Sequence, residues 1–281
     1  VASLAVLACS SPEARSTAPE GTSQQAIIGG TDVTDDDPIA HTTVAVSTLG
    51  KICTGTLVDD DLVVTAAHCG LVEGGGSPGQ PGDAGAGSVE VDAGSDRPSF
   101  RETEIIFARD STDPDAPRMA VADYRIPEDY HAGYAAQDPV PKNNDDIALL
   151  YFKGPKPSGY HAAKLPYFRI PVREGQSAVV AGYGRNGTTD AGPSFGILRK
   201  VSLPLGDPRY ADTELPVTSH EEKRPASGDS GGPLFVSWGA KTWLLGVCNW
   251  GHADPSYEVY ARTDAHALWL LEAAASLRVG R

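Results

Sequence analysis

Residues 228–234 read GDSGGPL and residues 65–69 read TAAHC, and any fold of this chain has to account for both. Gly228, Gly231 and Gly232 lack a Cβ, so the backbone around Ser230 can turn tightly and bring its N–H groups toward one point. A lone serine hydroxyl is a weak nucleophile near neutral pH. Attack on an acyl carbon requires a base within hydrogen-bond reach and a donor pocket for the developing oxyanion. His68 is the candidate base, and the amides of Gly228 and Ser230 are the candidate donors. Each motif alone has a plainer reading, a glycine turn in one case and a half-buried histidine in the other. Together they require two distant segments to meet.

The third member of such a site is a carboxylate that orients the imidazole. Residues 143–150, NNDDIALL, offer Asp145 and Asp146 at the mouth of an apolar run. If the segment is extended, adjacent side chains point to opposite faces, so only one of the two can face His68. The residues alone leave both open.

In the order His68, Asp146, Ser230, the TAAHC, DIALL and GDSGGPL segments resemble the trypsin-like (chymotrypsin) serine peptidases. The DIAL pattern of this resemblance favours Asp146, with Asp145 as the competitor. Subtilisins and α/β-hydrolases carry the same three residue types in other orders. The resemblance extends to IIGG at 27–30, KICTGTLV at 51–58 and NWG at 249–251, and spans roughly residues 27–275. It implies two six-stranded antiparallel β-barrels with the catalytic groups in the cleft between them. It also implies a disulfide between Cys53 and Cys69, closing a loop of about fifteen residues worth about 3 kcal/mol in the chain-entropy model. Such a bond belongs to an oxidising compartment. A zinc site from Cys53, His68 and Cys69 is the alternative, disfavoured because adjacent side chains diverge on an extended segment.

Carried over residue by residue, the resemblance implies an activation pair. Cleavage before Ile27 would free an α-ammonium for the Asp229 carboxylate. The preceding residue is Ala26, not Arg or Lys, so a trypsin-like activator is not expected. Counting back from Ser230 places Arg224 where trypsins carry an Asp at the base of the specificity pocket, and Ala226 where the family has a disulfide cysteine. Trp250 and Gly251 match the substrate-binding strand, while Glu258 falls where a small residue is common. Arg224 and Glu258 either pair with each other, select a polar or oppositely charged substrate side chain, or are rim charges in water. The resemblance implies a serine endopeptidase acting on proteins or peptides, open to a proteinaceous inhibitor, monomeric, and needing no cofactor and no metal. The alternative is an inactive homologue that acts as a binding or scaffold protein.

The residues support an all-β chain independently. Short Val, Ile, Leu and Tyr segments punctuated by Gly, Pro, Asp and Asn recur at 43–49, 62–67, 104–108, 147–152, 177–184, 234–238 and 243–248. Residues 264–278 have helical periodicity with Asp264 as a possible N-cap. The expected organisation is one peptidase domain over 27–281, with barrels at about 27–145 and 160–265 and the helix at the end. The formal net charge is −14. Nucleic-acid binding is excluded on this ground, because phosphate neutralisation needs clustered Lys and Arg.

The opening VASLAVLAC resembles the end of a truncated bacterial secretion signal with a lipoprotein processing box, which makes Cys9 the candidate lipidated residue. An ordinary signal-peptidase site is the rival. The polar SSPEARSTAPEGTSQQ that follows reads as a flexible tether. A secreted or envelope-anchored location follows, with membrane contact only through a lipid on Cys9. Cys248 reads as a buried strand thiol. The glycine-rich stretch at 70–88 reads as a surface loop, and Glu90, Asp92 and Asp96 as solvated acids rather than a calcium site.

Overall fold

The structure, a computed structural model, describes residues 27–71, 97–131, 142–185, 195–220, 223–251 and 256–279, with the side chains of Trp250 and Gly251 excepted. The expectations for Cys9 and the tether, for the glycine-rich stretch beyond Leu71, and for Glu90, Asp92 and Asp96 fall outside these residues. Thirteen strands and one α-helix follow in chain order among them.

The first half closes into a barrel of six strands: β2 (Thr43–Thr48), β3 (Lys51–Asp59), β4 (Leu62–Thr65), β5 (Thr103–Ile106), β6 (Arg118–Arg125) and β7 (Ala148–Phe152), in the order β2-β3-β4-β7-β6-β5. Every neighbouring pair is antiparallel. The β2–β3 connection is a two-residue turn in which Leu49 and Gly50 both have positive φ, 50° and 83°. That backbone twist matches the twist of the strands it joins. Val44, Val46, Leu57, Val63, Leu149 and Phe152 fill the interior.

The second half is a curled sheet of seven strands. It contains β1 (Thr31–Asp32), β8 (Ser177–Gly182), β9 (Arg199–Pro204), β10 (Glu214–Thr218), β11 (Pro233–Trp238), β12 (Lys241–Gly251) and β13 (Tyr257–Arg262), in the order β1-β9-β8-β11-β12-β13-β10. The curl brings its far strand back to the start, because Leu205, just past β9, bridges to Val217 of β10. The six strands β8 to β13 stand where the second barrel is expected but form a curled half-barrel, joined at its ends by this bridge and not, among the described residues, by a ladder, and β1 adds an outer strand. Ile27, Val180, Leu203, Leu215, Val217, Leu234 and Tyr260 form its core.

The halves meet over a small cluster of Ala45, Ile106, Ala181 and Tyr183. Tyr183 is fully buried, and its hydroxyl lies 3.2 Å from the Thr43 carbonyl and 2.6 Å from that of Ala108, both in the first half. Helix α1 (Ala267–Arg278) returns to the first barrel, burying Leu270, Ala273 and Leu277 in that core. Arg278 in its last turn pairs with Asp59 at 2.6 Å and Asp61 at 2.8 Å. Asp264 is not the N-cap. Helix α1 begins after His266 with no side-chain cap, because the Asp264 carboxylate is taken by the Arg262 guanidinium at 2.7 and 2.8 Å and by the Ile170 N–H at 2.9 Å.

Candidate active site

Strand β4 carries the apolar residues Leu62–Thr65 into the first core, and the chain then tightens into a 3-10 turn at Ala67–Gly70. His68 sits in this turn, next to Cys69. The disulfide between Cys53 on β3 and Cys69 is formed, with an S–S distance of 2.05 Å, and it fixes the turn against the barrel wall. Because the two sulfurs are bonded to each other, neither is a thiolate, and the group Cys53, His68, Cys69 offers no zinc set.

Asp146 stands at the entry to β7 and is almost completely buried. It meets His68 twice. The His68 backbone N–H donates to Oδ1 at 2.8 Å, and Nδ1 lies 2.6 Å from Oδ2. A carboxylate offers only acceptors, so Nδ1 carries the proton and Nε2 is left as the basic nitrogen. Asp145 faces elsewhere: its φ is +53°, and its Oδ1 lies 2.9 Å from Nε2 of His266. The backbone reversal at this residue is what sends adjacent carboxylates to different partners.

Across the cleft, the segment 228–232 packs against β3 and β4. Gly231 has φ +80°, and a Cβ there would overlap Thr65 Oγ1 and the Thr54 carbonyl. Only glycine fits so close to the turn that carries His68. Gly228 has φ +102°, and a Cβ would stand 2.8 Å from Gly184 Cα. The amides of Asp229, Gly231 and Gly232 donate to the carbonyls of Ala226, Cys248 and Asp229. Among the described residues, those of Gly228 and Ser230 donate to no acceptor. Thr54 fixes the loop from the opposite side. Its N–H donates to the Ser230 carbonyl at 2.8 Å, its hydroxyl donates to the Gly228 carbonyl at 2.9 Å, and that hydroxyl accepts the Tyr183 N–H at 3.1 Å.

Below this loop lie buried acids. Asp229 accepts the Gly184 N–H at 2.8 Å and the Ala226 N–H at 2.7 Å, but no described cation pairs with it. Burial pushes its carboxyl up to about 7 against the pull of those two amides. Ile27 is buried in the second core with φ +37°, its carbonyl accepting from Gly30. Glu258 on β13 sits opposite Gly251 of β12, and burial pushes it up to about 7 as well, with Arg224 pulling it down and Asp229 adding to the rise. Arg224 is half-buried, bridges to Ile28 through the backbone, and has an Nε without a partner. Arg224 and Glu258 attract each other without direct ion-pair contact. Trp250 pairs with Val259 through the backbone.

The family model described as Trypsin matches residues 27–270. The chain belongs to the trypsin family. It is 29% identical over 271 residues to the vitellin-degrading protease of Bombyx mori, covering 90% of this chain and 87% of that protein. It is 25% identical to serine protease SSP1 of Scolopendra subspinipes, covering 88% and 82%. Trypsin-1 of Astacus astacus is 30% identical over 145 residues, 45% of this chain and 59% of that one.

Within this trypsin-family site, four polar residues escape a reading of motifs. Thr54 lies inside the KICTGTLV segment, yet nothing in one sequence marks its hydroxyl as a clamp on a loop so far along the chain. Asn144 accepts the Asp146 N–H at 3.2 Å and the Asn249 Nδ2 at 2.7 Å. Glu214 lies behind both. A polar Asn beside Trp250 and a Glu opening an apolar strand were the available signals.

Proposed function

We propose that this trypsin-family chain is a serine endopeptidase that cleaves proteins or peptides through an acyl-enzyme, with His68, Asp146 and Ser230 as the triad. The observation that carries this reading is the double contact of His68 with Asp146, which leaves Nε2 as a base. In the first step Ser230 Oγ bonds to the substrate carbonyl carbon and its proton passes to Nε2. The oxyanion takes the amides of Gly228 and Ser230, each donor contributing about 3–4 kcal/mol in sites of this kind. The C–N bond then breaks as His68 returns the proton to the leaving amine. Water repeats the sequence on the ester.

Among the described residues Asp229 has no cationic partner, which supports a zymogen completed by an α-ammonium at Ile27. The Cys53–Cys69 bond suits an oxidising compartment and a secreted or envelope-bound protein, with Cys9 as the lipid anchor from which processing at Ile27 would release the domain. Arg224 and Glu258 make a specificity site for polar or charged side chains. The test is peptide hydrolysis by the chain processed to begin at Ile27. Ser230→Ala is expected to lower kcat by about a million-fold, as in other triad enzymes. A variant that keeps most of the wild-type rate contradicts the reading.

A further inference from the structure

The His68–Asp146 pair is tied to the second half of the molecule through a buried polar cluster. Asn144 Oδ1 accepts the Asp146 backbone N–H at 3.2 Å and Asn249 Nδ2, from β12, at 2.7 Å. Glu214, the first residue of β10, accepts the Asn144 backbone N–H at 3.3 Å and Asn249 Nδ2 at 3.4 Å, both on Oε1. Asn144, Asn249 and Glu214 are at most 1% exposed. Strands from the second sheet therefore hold, through two amide side chains, the residue that precedes Asp146 by two.

Glu214 Oε2 has no partner among the described residues, nor have Asn144 Nδ2 and Asn249 Oδ1. The carboxyl faces Asp145 and Asp146, with Tyr210 as the other titratable neighbour. Burial, with those two carboxylates adding to it, pushes Glu214 above the usual carboxylate range. The Asn143 and Asn144 amides pull it back down, and Oε1 accepts the two N–H groups that tie it to Asn144 and Asn249.

We infer that Glu214 is a positioning residue for the His68–Asp146 pair, locking Asn144 and Asn249 so that the Asp146 amide, and with it the carboxylate, keeps one orientation toward the imidazole. The inference rests on the serine peptidase reading for its kinetic consequence, but not for its structural one. Glutamine keeps an acceptor oxygen in the place of Oε1 and the same shape, whereas alanine leaves two N–H groups without their acceptor.

The experiment compares wild type, Glu214→Gln, Glu214→Ala and Asn249→Ala, all processed to begin at Ile27. Peptide hydrolysis is measured alongside the proton resonance of His68 Hδ1, which reports the 2.6 Å contact with Asp146. Glu214→Ala is expected to lower kcat about tenfold or more with KM within about twofold, and to shift or broaden that resonance. Glu214→Gln is expected to restore both, with kcat within about threefold of wild type. If Glu214→Ala does not fold, Asn249→Ala carries the test, with the same direction of change expected. Wild-type kcat and an unmoved resonance in the alanine variants, or a glutamine variant as impaired as alanine, overturn the inference. A wild-type chain that hydrolyses nothing defeats the peptidase reading alone, and the resonance still decides the role of Glu214.

Discussion

Asp146 and Asp229 are both almost completely buried carboxylates, one at the mouth of the first barrel and the other in the glycine-rich loop of the second sheet, and they are balanced by different means. Asp146 accepts the backbone N–H and Nδ1 of one residue, His68. Asp229 has two backbone amides, from Gly184 and Ala226, and no described cation. Two amides are partial charges and do not replace a full one in a dry site. The first half therefore presents a finished pair, while the second holds an acid without a cationic partner among the described residues. Glu258 repeats the pattern, since Arg224 attracts it from beyond contact distance and burial still dominates.

The largest break in this comparison comes from Asp146→Asn. An amide there meets the two donors of His68 with one oxygen and one NH2 group, so the imidazole loses its favoured tautomer. A fall in kcat of about 10⁴-fold is expected, read from peptide hydrolysis at saturating substrate. A loss below tenfold would mean that the pair is not the base.

Asp229→Asn has a smaller effect that depends on cleavage. In the uncleaved chain the folded-state carboxyl is raised from 3.8 to about 7. Its stabilising contribution is then complete below the unfolded value and is lost as pH rises through about 7. Removing the ionisable group is expected to be more favourable at pH 8 than at pH 4 by on the order of 4 kcal/mol, at 1.36 kcal/mol per pH unit of displacement, set against about 1–3 kcal/mol lost at both pH values where the Asn NH2 group faces the Gly184 or Ala226 N–H. Urea midpoints of the two proteins at both pH values measure this. Once Ile27 is freed, an α-ammonium beside Asp229 should reverse the sign, so the same substitution becomes destabilising. A difference in midpoint that is the same at pH 4 and pH 8 before cleavage would remove the contrast between the two acids.

Thr54→Val sharpens the comparison on the side of the loop. It keeps the shape but removes the hydroxyl, leaving the Tyr183 N–H and the Gly228 carbonyl unsatisfied at a cost of about 1–3 kcal/mol. A lower urea midpoint is expected together with a reduced kcat, because Gly228 is an oxyanion donor in this reading. A variant with lower stability and unchanged kcat would confine Thr54 to a structural role.

What the sequence reveals divides along the same line. The strand segments were legible from their punctuation, because near-continuous burial in strands such as β2, β4 and β7 leaves short apolar runs closed by Gly, Pro, Asp and Asn. His68 and Asp146 stand in local motifs, and Asp146 was preferred to Asp145 through the DIAL pattern of the resemblance. The positive φ of Asp145, whose carboxylate meets His266, is a feature that nothing in a four-residue polar run specifies. Asp264 misled, since an acid before a helical pattern has the same appearance whether it caps the helix or is held by the Arg262 guanidinium two residues earlier. Thr54, Asn249 and Glu214 act only through residues distant in the chain, and contacts of that kind leave no mark on local composition. Arg224 and Glu258 were found by counting, but their separation is a property of the folded sheet.

The central claim is that Ser230 is the nucleophile served by the His68–Asp146 pair. Its most direct test is to treat the chain beginning at Ile27 with a fluorophosphonate and to locate the adduct by mass spectrometry of the digested protein. The account predicts one adduct, on Ser230, that disappears when His68 is replaced by alanine. An adduct on another residue, or labelling of Ser230 that is indifferent to His68, would contradict it.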